Sequence, residues 1–139
     1  MPQMIQDVMT RDPISLSGTS TAADAARKMR EADIGPVVVL DGGRVSGIVT
    51  DRDIVVRVVA EGKDPATTPL NAICSENLFT LAPDSPVGTA VKLMKEKAVR
   101  RVPIVKEGKP VGILSLGDVA AERDSKSVLG RISEAPPNN

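Results

Sequence analysis

Gly47-Ile48-Val49-Thr50-Asp51-Arg52-Asp53 and, 65 positions later, Gly112-Ile113-Leu114-Ser115-Leu116-Gly117-Asp118 share one pattern. A glycine and two apolar residues are followed by a hydroxyl residue, with an aspartate three places further on. A Ser or Thr with an acid three residues later is the capping box of a helix start, and the acid suits the positive end of the helix dipole. The apolar residues before it read as the end of a strand. The same junction has a second reading. A helix N-terminus offers free N–H groups and a hydroxyl to a phosphate. An aspartate beside it can accept both hydroxyls of a ribose, because a carboxylate has two oxygens.

Working outward, the 65-residue offset lays Ile5–Ala60 on Leu70–Ser125 without a gap. Leu16 falls on Leu81, Ser20 on Ser85, Ala25 on Ala90, Met29 on Met94 and Glu31 on Glu96. Val37 falls on Val102, Gly43 on Gly108, Gly47-Ile48 on Gly112-Ile113 and Asp53 on Asp118. The local signals move with these identities. Thr21 precedes the stripe Ala22, Ala25, Ala26 and Met29, which predicts a helix with Asp24 completing its cap. In the second copy Ser85 is the expected cap and Pro86 the first helical residue, ahead of Val87, Ala90, Val91 and Met94. Each helix is followed by an apolar run, Val37–Leu40 or Val102–Val105, then a turn at Asp41-Gly42-Gly43 or Glu107-Gly108. A second β-rich run, Val45–Thr50 or Val111–Ser115, completes a hairpin. A last helix is predicted with Ile54, Val55, Val58 and Val59 on one face, and with Val119 and Ala120 as counterparts.

Each copy therefore reads as a leading strand, helix, strand, turn, strand and helix. The expected fold class is α/β (α+β), with two βαββα-type repeats over about 5–60 and 70–125, a linker over 61–69 and a tail over 126–139. Residues 1–139 form a single module on this reading, because a copy of about 55 residues buries too little apolar surface to stand alone. The copies are expected to pack sheet to sheet with pseudo-two-fold symmetry, leaving related clefts between them.

Composition narrows the function. Of 139 residues, 18 are Lys or Arg and 18 are Asp or Glu, so the formal net charge is zero. That balance argues against a protein built to grip nucleic acid or an anionic membrane. There is no His, and Cys74 is the only cysteine, which removes imidazole bases and thiolate zinc clusters. No clustered carboxylates have metal spacing, so no enzyme and no metal site is expected. Cys74 is read as a small buried apolar residue. No apolar run reaches the length of a membrane span and the start lacks a signal-peptide pattern, so a cytoplasmic location is expected. With no Trp or Tyr and one Phe, a planar ligand would be held by aliphatic side chains. Phe79 is read first as core, and as a stacking ring second.

The repeat length, the run Arg100-Arg101-Val102-Pro103-Ile104-Val105 and the two Gly-Ile-Val/Leu-Thr/Ser-x-x-Asp ends together resemble a tandem pair of cystathionine β-synthase (CBS) domains, a Bateman module. The resemblance covers about residues 4–125 and is to the small stand-alone members. It implies adenosine nucleotides or related adenosyl compounds as regulatory ligands in the clefts, and a homodimer through the helices. Carried over, the first site takes Thr50 for phosphate and Asp53 for ribose, with Leu78, Phe79 and Val99 around adenine. Arg100 and Arg101 stand at its phosphates, and Arg52 adds a further charge. The second site takes Ser115 and Asp118, with Pro13, Ile14 and Ile34 around the base. Gly35-Pro36 replaces the arginine pair there, so this site is expected to favour fewer phosphates, to bind weakly or to stay vacant.

The leading expectation is an adenine-nucleotide-binding regulatory module that shifts the surface shown to an unidentified protein partner. The alternative is a ligand-free structural or interaction module that kept the fold. A nucleic-acid role for the basic segment Lys92–Arg101 is disfavoured by zero net charge and the lack of stacking aromatics.

Overall fold

The computed structural model describes residues 3–75 and 79–125; Leu78 and the tail expected over 126–139 lie outside the described residues. A 3-10 turn at Ile5–Asp7 leads into β1 (Thr10–Arg11), β2 (Ser15–Ser17), α1 (Ala22–Ala32), β3 (Val37–Asp41), β4 (Arg44–Val49) and α2 (Asp51–Ile54). Helix α2 widens into a π turn over Val55–Val59. A second 3-10 turn at Leu70–Ala72 precedes α3 (Val87–Lys97), β5 (Arg101–Lys106), β6 (Lys109–Ser115) and α4 (Leu116–Ser125).

Two three-stranded sheets result, ordered β2-β3-β4 and β1-β6-β5. Both hairpins turn through two residues with positive φ, Gly42 and Gly43 in one and Glu107 and Gly108 in the other. Such turns match the twist of the strands they join. Leu16 pairs in parallel with Val39, and Leu81 bridges in parallel to Ile104, the same pair 65 residues on. The register shifts after Val39 and after Ile104 also coincide under the offset.

Strand alternation assigns the faces. Val37, Val39 and Val49 are fully buried with Ala22, Ala25 and Met29 of α1. Val38 and Ile48 form a separate cluster with Ile113 of β6, which joins one sheet to the other. Sheet-to-sheet packing of two β-α-β-β-α repeats is thus what the strands build.

The leading segments of the two repeats are exchanged. Ile5 is buried among Ala90, Met94, Val102 and Leu114 of the second half, while Leu70 and Ile73 are buried among Ala22, Met29 and Val39 of the first. Backbone bonds repeat the exchange: Ile5 N–H donates to the Ser85 carbonyl at 2.9 Å, and Leu70 N–H donates to that of Ser20 at 2.8 Å. This exchange corrects the expected start of α3. Pro86, bridged to Met4, is itself the cap residue in extended conformation, and Val87 is the first helical residue. Its N–H donates to the Gln3 carbonyl at 2.9 Å, so Ser85 is not needed as a cap.

The crossing segments also explain the motif glycines. A Cβ on Gly47 would lie 2.9 Å from Cys74 Sγ, and one on Gly112 would overlap Met9 Sδ and lie 2.9 Å from the Thr10 carbonyl. Met9 and Cys74 are themselves equivalent under the offset. Three expected core contacts are corrected. Ala26 is exposed on α1. After α2, Val58 is buried, but Val55 and Val59 are 58% and 65% exposed, because the wider π turn sets them on the stripe beside the inward Ile54 and Val58.

Candidate functional site

Both strand-to-helix junctions form the expected capping box, and they differ in what remains open. Thr50 N–H and Thr50 Oγ1 both donate to Asp53 Oδ2, at 2.8 and 3.1 Å, while Asp53 N–H donates to Thr50 Oγ1 at 3.2 Å. The other oxygen, Asp53 Oδ1, has Arg57 Nε at 3.9 Å, and Arg57 Nη1 also donates to the Ile73 carbonyl at 3.1 Å. At the second junction Ser115 N–H donates to Asp118 Oδ2 and Asp118 N–H donates to Ser115 Oγ, both at 3.0 Å. Among the described residues, neither the Ser115 hydroxyl proton nor Asp118 Oδ1 is engaged in a hydrogen bond or ion pair. One donor and one acceptor are left for a ligand.

Ser115 and Asp118 both line a cleft of about 790 Å³ between the halves. Its walls include Pro13 and Ile14 from the β1–β2 connection, Ile34, Gly35 and Pro36 after α1, and Ile113 at the sheet contact. The structure therefore gathers Ser115, Asp118, Pro13, Ile14 and Ile34 around one space of a size suited to a small ligand.

Arg101 lines this cleft too, which differs from its expected place beside Thr50. The cause is register. Arg101 pairs with Ser115 across β5 and β6, and directly opposed residues of an antiparallel pair share a face. The adjacent arginines differ in place: Arg101 lines this cleft and Arg100 is not among its walls. Arg100 precedes the strand, is exposed, and accepts the Leu116 N–H on its carbonyl at 2.8 Å. Sequence reasoning missed Arg11, Asp12 and Asp33, which line the same cleft, and it read Asp51 as a ligand-contact residue of the Thr50 motif without assigning it to this cleft. Strand alternation was the available signal for Arg101. For Asp51 no signal gave the cleft, since it belongs to the Thr50 motif and yet lines the cleft of Ser115.

The remaining candidates lie elsewhere. Val99 packs against the core of the second half. Phe79 is half-buried, with the Lys97 ammonium 5.3 Å from its ring centroid, a cation–π distance. Arg52 is exposed in the first turn of α2.

The matching sequence family is the CBS domain, over residues 5–60 and 70–125. The chain belongs to the CBS-domain family. As a CBS pair it is 34% identical over 126 residues to the CBS domain-containing protein YhcV of Bacillus subtilis, covering 91% of this chain and 89% of that protein. It is 42% identical over 117 residues to the uncharacterized protein MK0525 of Methanopyrus kandleri, with 83% of this chain covered, and spans 60% of that protein's length. Among solved structures, an uncharacterized conserved protein from Pyrococcus horikoshii is 30% identical with a TM-score of 0.76, covering 100% of this chain and 98% of that one. The CBS domain pair of protein MJ0100, solved in complex with 5′-methylthioadenosine and S-adenosyl-L-methionine, shares the fold at a TM-score of 0.81 and 23% identity. That likeness covers 91% of this chain and 100% of that one. Among the described residues, no helix of this CBS pair is long and apolar enough to cross a membrane.

Proposed function

We propose that this CBS pair is a non-catalytic regulatory module that holds an adenine nucleotide or related adenosyl compound between its repeats. The single observation that carries the reading is the cleft of about 790 Å³ lined by Ser115 and Asp118. Aliphatic walls at Pro13, Ile14 and Ile34 suit a planar base. Asp118 Oδ1 suits a ribose hydroxyl, and the Ser115 hydroxyl and Arg101 suit an oxygen of the 5′ substituent. Thr50 and Asp53 are the equivalent pair for a second ligand, with Phe79, Val99, Arg100 and Arg52 from the resemblance around it.

Regulation follows from where the ligand sits. A molecule bridging two halves stabilises one relative arrangement, by no more than its difference in affinity for the alternatives. The change would be passed on through a homodimer. Val55, Val56, Val59 and Leu116 are large apolar residues left 46–65% exposed on or beside the closing helices, and a second copy is the occupant we assign to them.

A ligand-free interaction module is the second reading, favoured by one observation: the Thr50 hydroxyl proton is already taken by Asp53 Oδ2, and Asp53 Oδ1 already faces Arg57. The test separates the two. A chain without Trp or Tyr absorbs little in the near ultraviolet, so a co-purified adenine would dominate its spectrum. The nucleotide reading expects such a band, or a thermal shift on adding AMP, ADP or ATP. Ligand at a hundred times its dissociation constant adds about 2.7 kcal/mol. A clean spectrum and a flat titration would leave the interaction module.

A further inference from the structure

The charge around the Ser115–Asp118 cleft is opposite to what a polyphosphate needs. Arg11 and Arg101 are its cations, while Asp12, Asp33, Asp51 and Asp118 are its carboxylates, an excess of negative charge. None of these six groups is paired with another within 4.0 Å among the described residues, so the carboxylates are not cancelled locally. Arg11 is already drawn away, its Nη2 donating to the Gln6 carbonyl at 3.0 Å.

Asp51 holds the decisive position. Around Gly35, the site where a Cβ would stand is 3.1 Å from Asp51 Oδ1 and 3.6 Å from Arg101 Nη2. The carboxylate and the guanidinium thus both approach the same glycine. Any group held by Arg101 also meets the field of Asp51. The offset equivalent of Asp51 is Leu116, and that of Asp33 is Ala98, so the other half carries neither carboxylate.

We propose that Asp51 is the selectivity residue of the Ser115–Asp118 cleft, and that this cleft takes adenosyl compounds whose 5′ group is cationic or uncharged in preference to nucleoside triphosphates. The inference rests on the adenosyl reading above and narrows it. A triphosphate would place several negative charges beside Asp51, a carboxylate that is exposed and, among the described residues, without an ion-pair partner; a ligand covering it removes water, so like charges there repel more than in bulk water. A sulfonium at the same place is attracted by it.

The test uses the full chain in an Asp53→Asn background, which weakens the other junction and leaves this cleft as the readout. S-adenosylmethionine and S-adenosylhomocysteine form a close pair differing by one S-methyl group and the positive charge it brings to sulfur; adenosine and ATP complete the set. Calorimetric titration should rank the sulfonium about fivefold or more above the thioether, with ATP weakest. Asp51→Asn should abolish that preference and raise ATP affinity by a similar factor. Thermal melting checks the fold, and Asp51→Glu, which keeps the charge, should keep the ranking. ATP binding tightest in the parent, or a ranking unchanged by Asp51→Asn, overturns the inference while the adenosyl reading stands. Silence from all four compounds contradicts that reading, and the inference falls with it.

Discussion

Arg101 stands directly across β5 and β6 from Ser115, on the same face of the sheet. This pairing brings a guanidinium to the cleft that Asp118 and Ser115 line. The strand pairing, not the run of arginines in sequence, decides which cleft receives the charge. Arg101→Gln should weaken AMP binding about tenfold, the scale of one charge-assisted hydrogen bond, with melting temperature little changed. Titration of both proteins with AMP checks this.

The exchanged leading segments make Gly47 and Gly112 sensitive. Gly112→Ala drives a methyl into Met9 and the Thr10 carbonyl and should cost about 1–3 kcal/mol. Gly88→Ala, in α3 with open space around it, should instead stabilise by about 0.5–1 kcal/mol. Urea unfolding of the two variants should give midpoints on opposite sides of the parent.

Ala98 closes α3 in the left-handed region at φ 53°, where glycine is favoured. Ala98→Gly should stabilise the protein by about 0.5–1 kcal/mol. The readout is again the unfolding midpoint.

Acid should weaken the start of α1. The Thr21 N–H, donating at 3.0 Å, and Arg27, bonded at 2.6 Å, hold the Asp24 carboxyl below its ordinary pKa. A carboxylate whose pKa is depressed on folding adds stability above its unfolded pKa and loses it as pH falls through the folded value. Asp24→Asn should therefore be less stable than the parent near neutrality, and the difference should close on acidification. Melting curves across that range test the sign.

The exposed Val55 and Val59 predict a self-associating face. Val55→Glu with Val59→Glu should shift sedimentation toward the monomer and leave the helical circular dichroism in place. An unchanged sedimentation coefficient would remove the assignment of a second copy to this face.

The repeat, the hairpins and the three Thr/Ser–Asp capping boxes were legible because each rests on residues near one another in the chain. Thr21 with Asp24 and Gly42 with Gly43 carry their own geometry. The exchange of leading segments was not legible, since Ile5 and Leu70 are simply apolar in sequence and either core could have taken them. The site divided in the same way. Ser115, Asp118, Pro13, Ile14 and Ile34 were named together and do share a cleft, whereas the places of Arg101 and Asp51 depend on strand register and on the crossing of the two halves. A run of neighbouring charges does not say which way each will point once a strand begins.

In the proposed function Asp118 and Ser115 serve a bound adenosine compound as well as a helix cap. Calorimetric titration of AMP into the parent and into Asp118→Asn tests it most directly. The account predicts saturable binding to the parent and at least a tenfold loss in the variant, beyond the roughly 1 kcal/mol of stability that a weakened cap costs. Equal binding by both folded proteins, or none by the parent at any AMP concentration, would contradict it.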